Sequence, residues 1–203
     1  SYTFRKNNEG KTLRSAKTKR KTLETSIKIK VVIDGEGICE VNTGIRYLNH
    51  MINTLSKHSL IDLKIKAKGD LQHHIIEDVA LALGDTISKA LDKRERINRF
   101  GNAIVPMDGS LASVSLDLVK RPYSRIYLNI EHEIVEDMVR DDIQHFLQSF
   151  IQSLEATVHI NVEYGEDDHH KVEAAFKALA LSLRQAVMLD IRRKSPPSAK
   201  GVM

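Results

Sequence analysis

The sequence predicts an α/β or α+β fold made by internal duplication, with helices laid against sheets. Two observations carry this reading. The order strand, helix, strand, helix occurs twice along the 203 residues. One histidine pattern also recurs: a lone histidine is followed 23 or 24 residues later by an HHxxE motif, and the two motifs are offset by 96 residues.

Each element follows from local pattern. Residues 1–22 (SYTFRKNNEGKTLRSAKTKRKT) are polar and basic and read as a flexible arm. Residues 25–33 (TSIKIKVVI) alternate and stop at Asp34-Gly35, which predicts a strand and a turn. Residues 45–55 (IRYLNHMINTL) have helical spacing. Residues 61–67 alternate as a strand and end at Lys68-Gly69-Asp70. Residues 73–91 form an amphipathic helix with the stripe Ile76, Val79, Ala80, Leu83, Ile87 and Leu91. In the second half, 112–119 and 123–130 read as strands on either side of Lys120-Arg121-Pro122. A helix is expected over 142–154, a strand over 157–162 and a long amphipathic helix over 169–189. Residues 195–201 (SPPSAKG) are loop-like. The chain thus divides into an arm (1–22), a first repeat (23–93), a second repeat (94–194) and a tail (195–203).

Composition narrows the classes. A hydrophobic fraction of 41% and a charged fraction of 29% are those of a globular protein, long enough to bury a core without disulfides or structural metals. The 31 Lys/Arg exceed the 27 Asp/Glu, for a net charge of +4. That excess is local: residues 1–30 hold ten bases and two acids, leaving 21 bases and 25 acids elsewhere. No apolar run approaches the roughly 18 residues of a membrane span. The first thirty residues lack the apolar stretch of a secretory signal. The single cysteine, Cys39, has no intrachain partner, and together these features predict a cytoplasmic protein. Aromatic residues are 5% of the chain and Trp is absent, so base-stacking platforms are scarce and no nucleic-acid partner is expected.

The histidines carry the chemistry. Six of the nine fit the repeated template: His50, His73 and His74 in the first half, and His145, His169 and His170 in the second. Glu77 and Glu173 complete the motifs. On a helix, residues i and i+4 share a face, so each HHxxE motif can present an imidazole and a carboxylate to one ligand. Adjacent residues point about 100° apart, so the two histidines of a pair do not readily chelate one ion. A doubled histidine therefore implies two metals, each collecting ligands from several segments. Three imidazoles and one carboxylate suit Mn, Fe or Zn better than Ca or Mg. His132 and His159 fall outside the template and read as structural or exposed.

These residues sit in a wider set of motifs. They are ET.I at Glu24-Thr25-Ser26-Ile27, an LDHM-like Leu48-Asn49-His50-Met51, GD at Gly69-Asp70 and HHxxED from His73. INRFG follows from Ile97, SLDL..RPY from Ser115, HF.QS from His145 and HHxxEA.FKA from His169, with the tail PSAKGVM. From about Leu23 to Met203 the chain resembles imidazoleglycerol-phosphate dehydratase. The resemblance implies an α+β fold with each half a four-stranded sheet backed by helices. It implies trimers assembled into a 24-subunit shell, with two Mn²⁺ per active site lying between subunits. One ion would take His50, His74, His169 and Glu173; the other would take His73, Glu77, His145 and His170. The implied reaction is dehydration of imidazole glycerol phosphate to imidazole acetol phosphate in histidine biosynthesis, through an imidazolate/diazafulvene intermediate. Glu24 and His58 would lie at the glycerol portion and handle protons, beside the catalytic carboxylates Glu77 and Glu173. Arg99, Arg121, Lys177, Ser198 and Lys200 would bind the phosphate. Asn49 stands where the family usually has Asp, which predicts weaker orientation of His50. Gly109 stands where an acid is common.

Two other functions fit parts of the sequence. One is a dinuclear metal hydrolase of phosphoesters using a metal-bound hydroxide. The other is a nucleic-acid binder acting through the basic N-terminal segment; the few aromatics there (Tyr2 and Phe4) and the acidic body speak against it.

Overall fold

The computed structural model describes residues 5–6 and 12–201. The first half contains β1 (Arg5–Lys6), β2 (Thr12–Leu13), β3 (Ser15–Lys21), β4 (Thr25–Val32), β5 (Cys39–Asn42), α1 (Arg46–Ser59), β6 (Asp62–Gly69) and α2 (Gln72–Leu91). The second contains β7 (Phe100–Met107), β8 (Ser110–Asp117), β9 (Tyr123–Tyr127), β10 (Ile134–Val135), β11 (Met138–Val139), α3 (Arg140–Leu154), β12 (Thr157–Tyr164) and α4 (Asp168–Val187).

The two halves repeat one topology. The first sheet has the order β3-β4-β6-β5 and the second β7-β8-β12-β9. In both, the last strand named is the parallel one: β5 with β6, and β9 with β12. Strands β1 and β2 pair with each other, as do β10 and β11. Alternation buries one face of each central strand, for example Ile27, Ile29 and Val31 of β4, and Val158, Ile160 and Val162 of β12. Helix α2 packs on β3 and β4, and α4 on β7 and β8. Across the duplication α1 meets α4 and α2 meets α3, so the four helices form a layer between the sheets. One hydrophobic cluster runs through all three layers. At the α2–α3 crossing a Cβ on Gly84 would sit 2.5 Å from the Phe150 carbonyl oxygen, so the close approach requires glycine.

The segment read as an arm is corrected in part. Residues 1–4 and 7–11 lie outside the described residues, but Ser15–Lys21 is an edge strand, antiparallel to β4 from Ser15↔Val32 to Lys21↔Ser26. Of its inward residues only Ala16 is apolar, while Thr18 and Arg20 are polar, so the strand lacks an alternating apolar pattern. Thr18 Oγ1 is 3.4 Å from Asp85 on α2, and Arg20 Nε donates to Asp78 Oδ1 at 2.9 Å. Asp78 also accepts from Thr25 Oγ1, so the acid of the first HHxxED motif ties α2 to both β3 and β4.

Its outward residues explain the local charge. Lys17, Lys19 and Lys21 of β3 line up with Lys28 and Lys30 of β4 and with Lys64, Lys66 and Lys68 of β6 on one outer sheet face. The acid of that face within β5 is Glu40, which pairs with Lys64.

Strands β5 and β7 also escaped the pattern. Strand β5 spans only Cys39–Asn42, and β7 is an edge strand whose outward side carries Phe100 and Ile104. The remaining predicted helices and strands are found with ends shifted by a few residues.

Candidate metal centre

The duplication brings the motif residues together in two groups, each drawing on both halves. Helix α1 carries His50 on the side facing α4, where His169 and Glu173 lie one turn apart. Ligand atoms of these three residues lie within 4.8 Å of one another. His50 Nε2 is 3.3 Å, and His169 Nε2 3.1 Å, from Glu173 Oε2. The second group lies where α2 meets α3: His73, Glu77 and His145, again with ligand atoms within 4.8 Å. The rings of His73 and His145 stack with centroids 5.4 Å apart. His145 Nε2 is buried without a hydrogen-bond partner, 3.5 Å from Glu77 Oε1. A buried imidazole nitrogen with an unused lone pair, beside a carboxylate and a second imidazole, fits a divalent cation.

Carboxylates hold the outer nitrogens of two of these rings and of the neighbouring His74. His73 Nδ1 pairs with Asp142 at 2.6 Å, His169 Nδ1 with Glu136 at 3.0 Å and His74 Nδ1 with Asp70 at 2.8 Å. Such contacts leave Nε2 of each ring for a ligand. The hydrogen bond to Asp70 raises the His74 pKa. Burial opposes ionisation of Glu173, but Lys177, His50 and His169 outweigh it and keep the carboxyl below its ordinary range.

The fourth member of each predicted ligand set lies elsewhere in the chain. His74 stands beside His73 rather than in the group of His50; its neighbours are Asp70 and, at 3.6 Å, Glu24. His170 stands beside His169 rather than in the group of His145, with Nε2 3.7 Å from Asp108. The angle between adjacent helical residues turns each away from its neighbour's group.

The predicted phosphate cations are also spread out within one chain. Arg99 forks onto Asp117 at 2.7 and 3.0 Å and donates to the Pro197 carbonyl at 2.8 Å, which brings it to the tail of Ser198 and Lys200. Arg121 lies in the turn after β8, its carbonyl accepting from Thr157. Lys177 pairs with Glu173 at 3.0 Å. Arg99 N–H donates to Ala186 at the other end of α4, about 13 Å along the helix from Lys177. His58, at the end of α1, is held below its ordinary pKa by burial and then by Lys177.

The expectation for Asn49 changes. Its Oδ1 accepts from Thr43 N–H at 3.0 Å and Thr43 Oγ1 at 2.8 Å, so it braces the turn before α1 rather than the His50 ring. His132 is exposed and bonds Asp168, and His159 lies against Tyr123.

Residues missed from the sequence are the acids around the ligands: Glu136, Asp137 and Asp142. The signal available was an acid-rich run, EHEIVEDMVRDD, that leads into the first turn of the helix of His145. Asp137 caps α1 by accepting the N–H groups of Arg46 and Tyr47. An open cleft of about 440 Å³ adjoins this point, lined by Arg46, Tyr47, His50, Glu136, Asp137 and His169.

Known proteins are similar to this chain in sequence and fold. Residues 43–183 match the family model described as imidazoleglycerol-phosphate dehydratase. The enzyme of that name from Clostridium botulinum (strain 657 / Type Ba4) is 42% identical over 191 residues, which is 93% of this chain and 97% of that protein. That of Methanothermobacter thermautotrophicus is 43% identical over 193 residues, 94% of this chain and 98% of that protein. The crystal structure of IGPD from Pyrococcus furiosus in complex with (S)-C348 is similar with a TM-score of 0.80 and 35% identity, covering 92% of this chain and 100% of that one. The structure of the Staphylococcus aureus N315 enzyme also gives 0.80, at 28% identity over 87% of this chain and 99% of that one. The chain belongs to the imidazoleglycerol-phosphate dehydratase family of hydro-lyases.

Proposed function

We propose that the chain dehydrates imidazole glycerol phosphate to imidazole acetol phosphate in histidine biosynthesis, with two Mn²⁺ per active site. The observation that supports this most directly is the pair of donor groups, His50/His169/Glu173 and His73/Glu77/His145, each assembled from both halves of the duplication. Ions held by these two groups, with His74 and His170 as further ligands, would supply Lewis-acid activation of the substrate imidazole.

The chain's own residues have distinct tasks. His74 and His170 are turned away from the groups in their own chain, so they are the fourth ligands offered to neighbouring copies. This supports a homo-oligomer with sites between subunits, and the 24-mer built from trimers is its proposed form. Glu24, which lies beside His74, and His58, whose pKa is lowered by burial and then by Lys177, are the groups proposed to move protons at the glycerol carbons. Arg99, Arg121, Lys177, Ser198 and Lys200 bind the phosphate once copies bring them together, Arg by bidentate contact and Lys as a point charge. Among the described residues no helix is long and apolar enough to cross a membrane, and the proposed location is the cytoplasm.

The test is turnover of imidazole glycerol phosphate by Mn-loaded protein, with the ketone product followed and native mass recorded alongside. Activity lost in chelator and regained with Mn is expected. No turnover by a fully loaded assembly would overturn the proposal, and release of inorganic phosphate instead would favour a phosphoester hydrolase.

A further inference from the structure

The two donor groups are related by the duplication, but their supporting carboxylates are not. In the second group, His73 Nδ1 is held by Asp142, three residues before His145 on α3. The equivalent position on α1, three residues before His50, is Tyr47. Tyr47 is buried, its ring centroid 5.0 Å from that of His169, and its hydroxyl donates to the His169 carbonyl rather than accepting from the ring. The carboxylate expected from symmetry is therefore missing, and Glu136 supplies one from another element. It reaches His169 Nδ1 at 3.0 Å from the turn between β10 and β11.

The backbone of Glu136 makes this placement informative. Its φ is +57°, in the left-handed region that favours glycine. The turn would form more easily with glycine, yet the chain carries a side chain there whose carboxylate meets a ligand ring. The adjacent Asp137 caps α1 through Arg46 and Tyr47, which anchors this turn beside the helix of His50.

We infer that Glu136 is a positioning residue for His169, a carboxylate substituted for the one that symmetry would place at Tyr47, holding Nδ1–H so that Nε2 faces Glu173 and His50. The inference rests on the metal-centre reading above and concerns this chain's own way of building one of the two groups.

The test compares Glu136→Gly and Glu136→Gln with the unaltered chain. The readouts are Mn²⁺ affinity by calorimetry on the assembled protein, melting of the metal-free protein, and the His169 ring orientation in metal-free crystals. Glycine relieves the backbone and removes the acceptor. Its metal-free form is expected to melt no lower than the unaltered protein, while one Mn²⁺ per chain binds about 10- to 100-fold more weakly. The crystals should show the His169 ring turned from Glu173. Glu136→Gln keeps an acceptor oxygen and should recover much of the affinity. Unchanged affinity in Glu136→Gly, or an equal fall in melting temperature and in binding at both groups, would overturn the inference. If the unaltered chain bound no Mn²⁺, the metal-centre reading would fail, and the ring orientation would still decide for or against Glu136.

Discussion

Asp137 caps a helix from the other half of the duplication: its Oδ1 accepts the Tyr47 N–H at 2.9 Å and its Oδ2 the Arg46 N–H at 2.8 Å. Helix α1 has no side-chain cap of its own, because its N-cap position is Ile45. The cap thus arrives through tertiary structure, and it sits one turn from His50. Asp137→Ala should cost about 1 to 2 kcal/mol, the usual worth of an N-cap. Urea unfolding of metal-free protein measures this, and a loss below about 0.3 kcal/mol would show that water serves the two N–H groups equally well.

The lysine face of the first sheet predicts an unusual response to salt. Lys28 lies directly across from Lys19 on one side and Lys66 on the other, and Lys30 is across from Lys17 and Lys64. Like charges directly opposite across strands destabilise a sheet, and salt screens exposed charges. Stability should therefore rise with NaCl, and Lys28→Glu should add about 0.5 to 1 kcal/mol at low ionic strength. That gain should shrink at about 0.5 M salt. Denaturant midpoints at the two salt concentrations check both statements; a midpoint that falls with salt would refute them.

How much of this was legible beforehand depends on whether a residue acts through its own element or through a distant one. The helices of His50, His73, His145 and His169 were legible because each carries an apolar stripe, and the doubled histidines were legible because they repeat. Strand β3 was not, since its inward Thr18 and Arg20 are matched to Asp85 and Asp78 on α2 rather than to apolar side chains. The grouping of His50 with His169 and Glu173 was legible only through the family resemblance, since it depends on the α1–α4 packing, which no local pattern announces. Asp137 and Asp142 act across the duplication, and Glu136 acts on His169 from a turn 33 residues away, so no local pattern ties these acids to the histidines they support.

The buried cluster at the start of α4 predicts a pH dependence at the acid end. Burial alone would raise the Asp168 pKa. The His132 backbone and ring N–H groups, the Glu131 N–H and the Lys171 ammonium outweigh it and bring the value to about 2, from 3.8. A folded-state pKa below the unfolded one means stability that is present above pH 4 to 5 and lost as pH falls toward 2. The contribution is about 2 kcal/mol at pH 5 and about 1 kcal/mol at pH 3. Urea titrations of the metal-free chain and of Asp168→Asn should converge by about 1 kcal/mol between pH 5 and pH 3. Parallel curves would assign the acid sensitivity to other groups.

The two donor groups share no ligand within one chain, and this makes their metals separable. His50 belongs to the group with His169 and Glu173, and His145 to the group with His73 and Glu77. Removing either imidazole leaves the other three-residue group intact. His50→Ala and His145→Ala should each lower the bound Mn²⁺ from two ions per chain to one, and the double variant to none, as read by mass spectrometry of the metal after gel filtration. Chelator should also shift the unaltered protein to smaller species in native mass spectra, with Mn²⁺ restoring the assembly, if His74 and His170 serve as ligands to neighbouring copies as proposed. If either single substitution removed both ions, the two groups would form one interdependent centre, and the separation drawn from the single chain would be wrong.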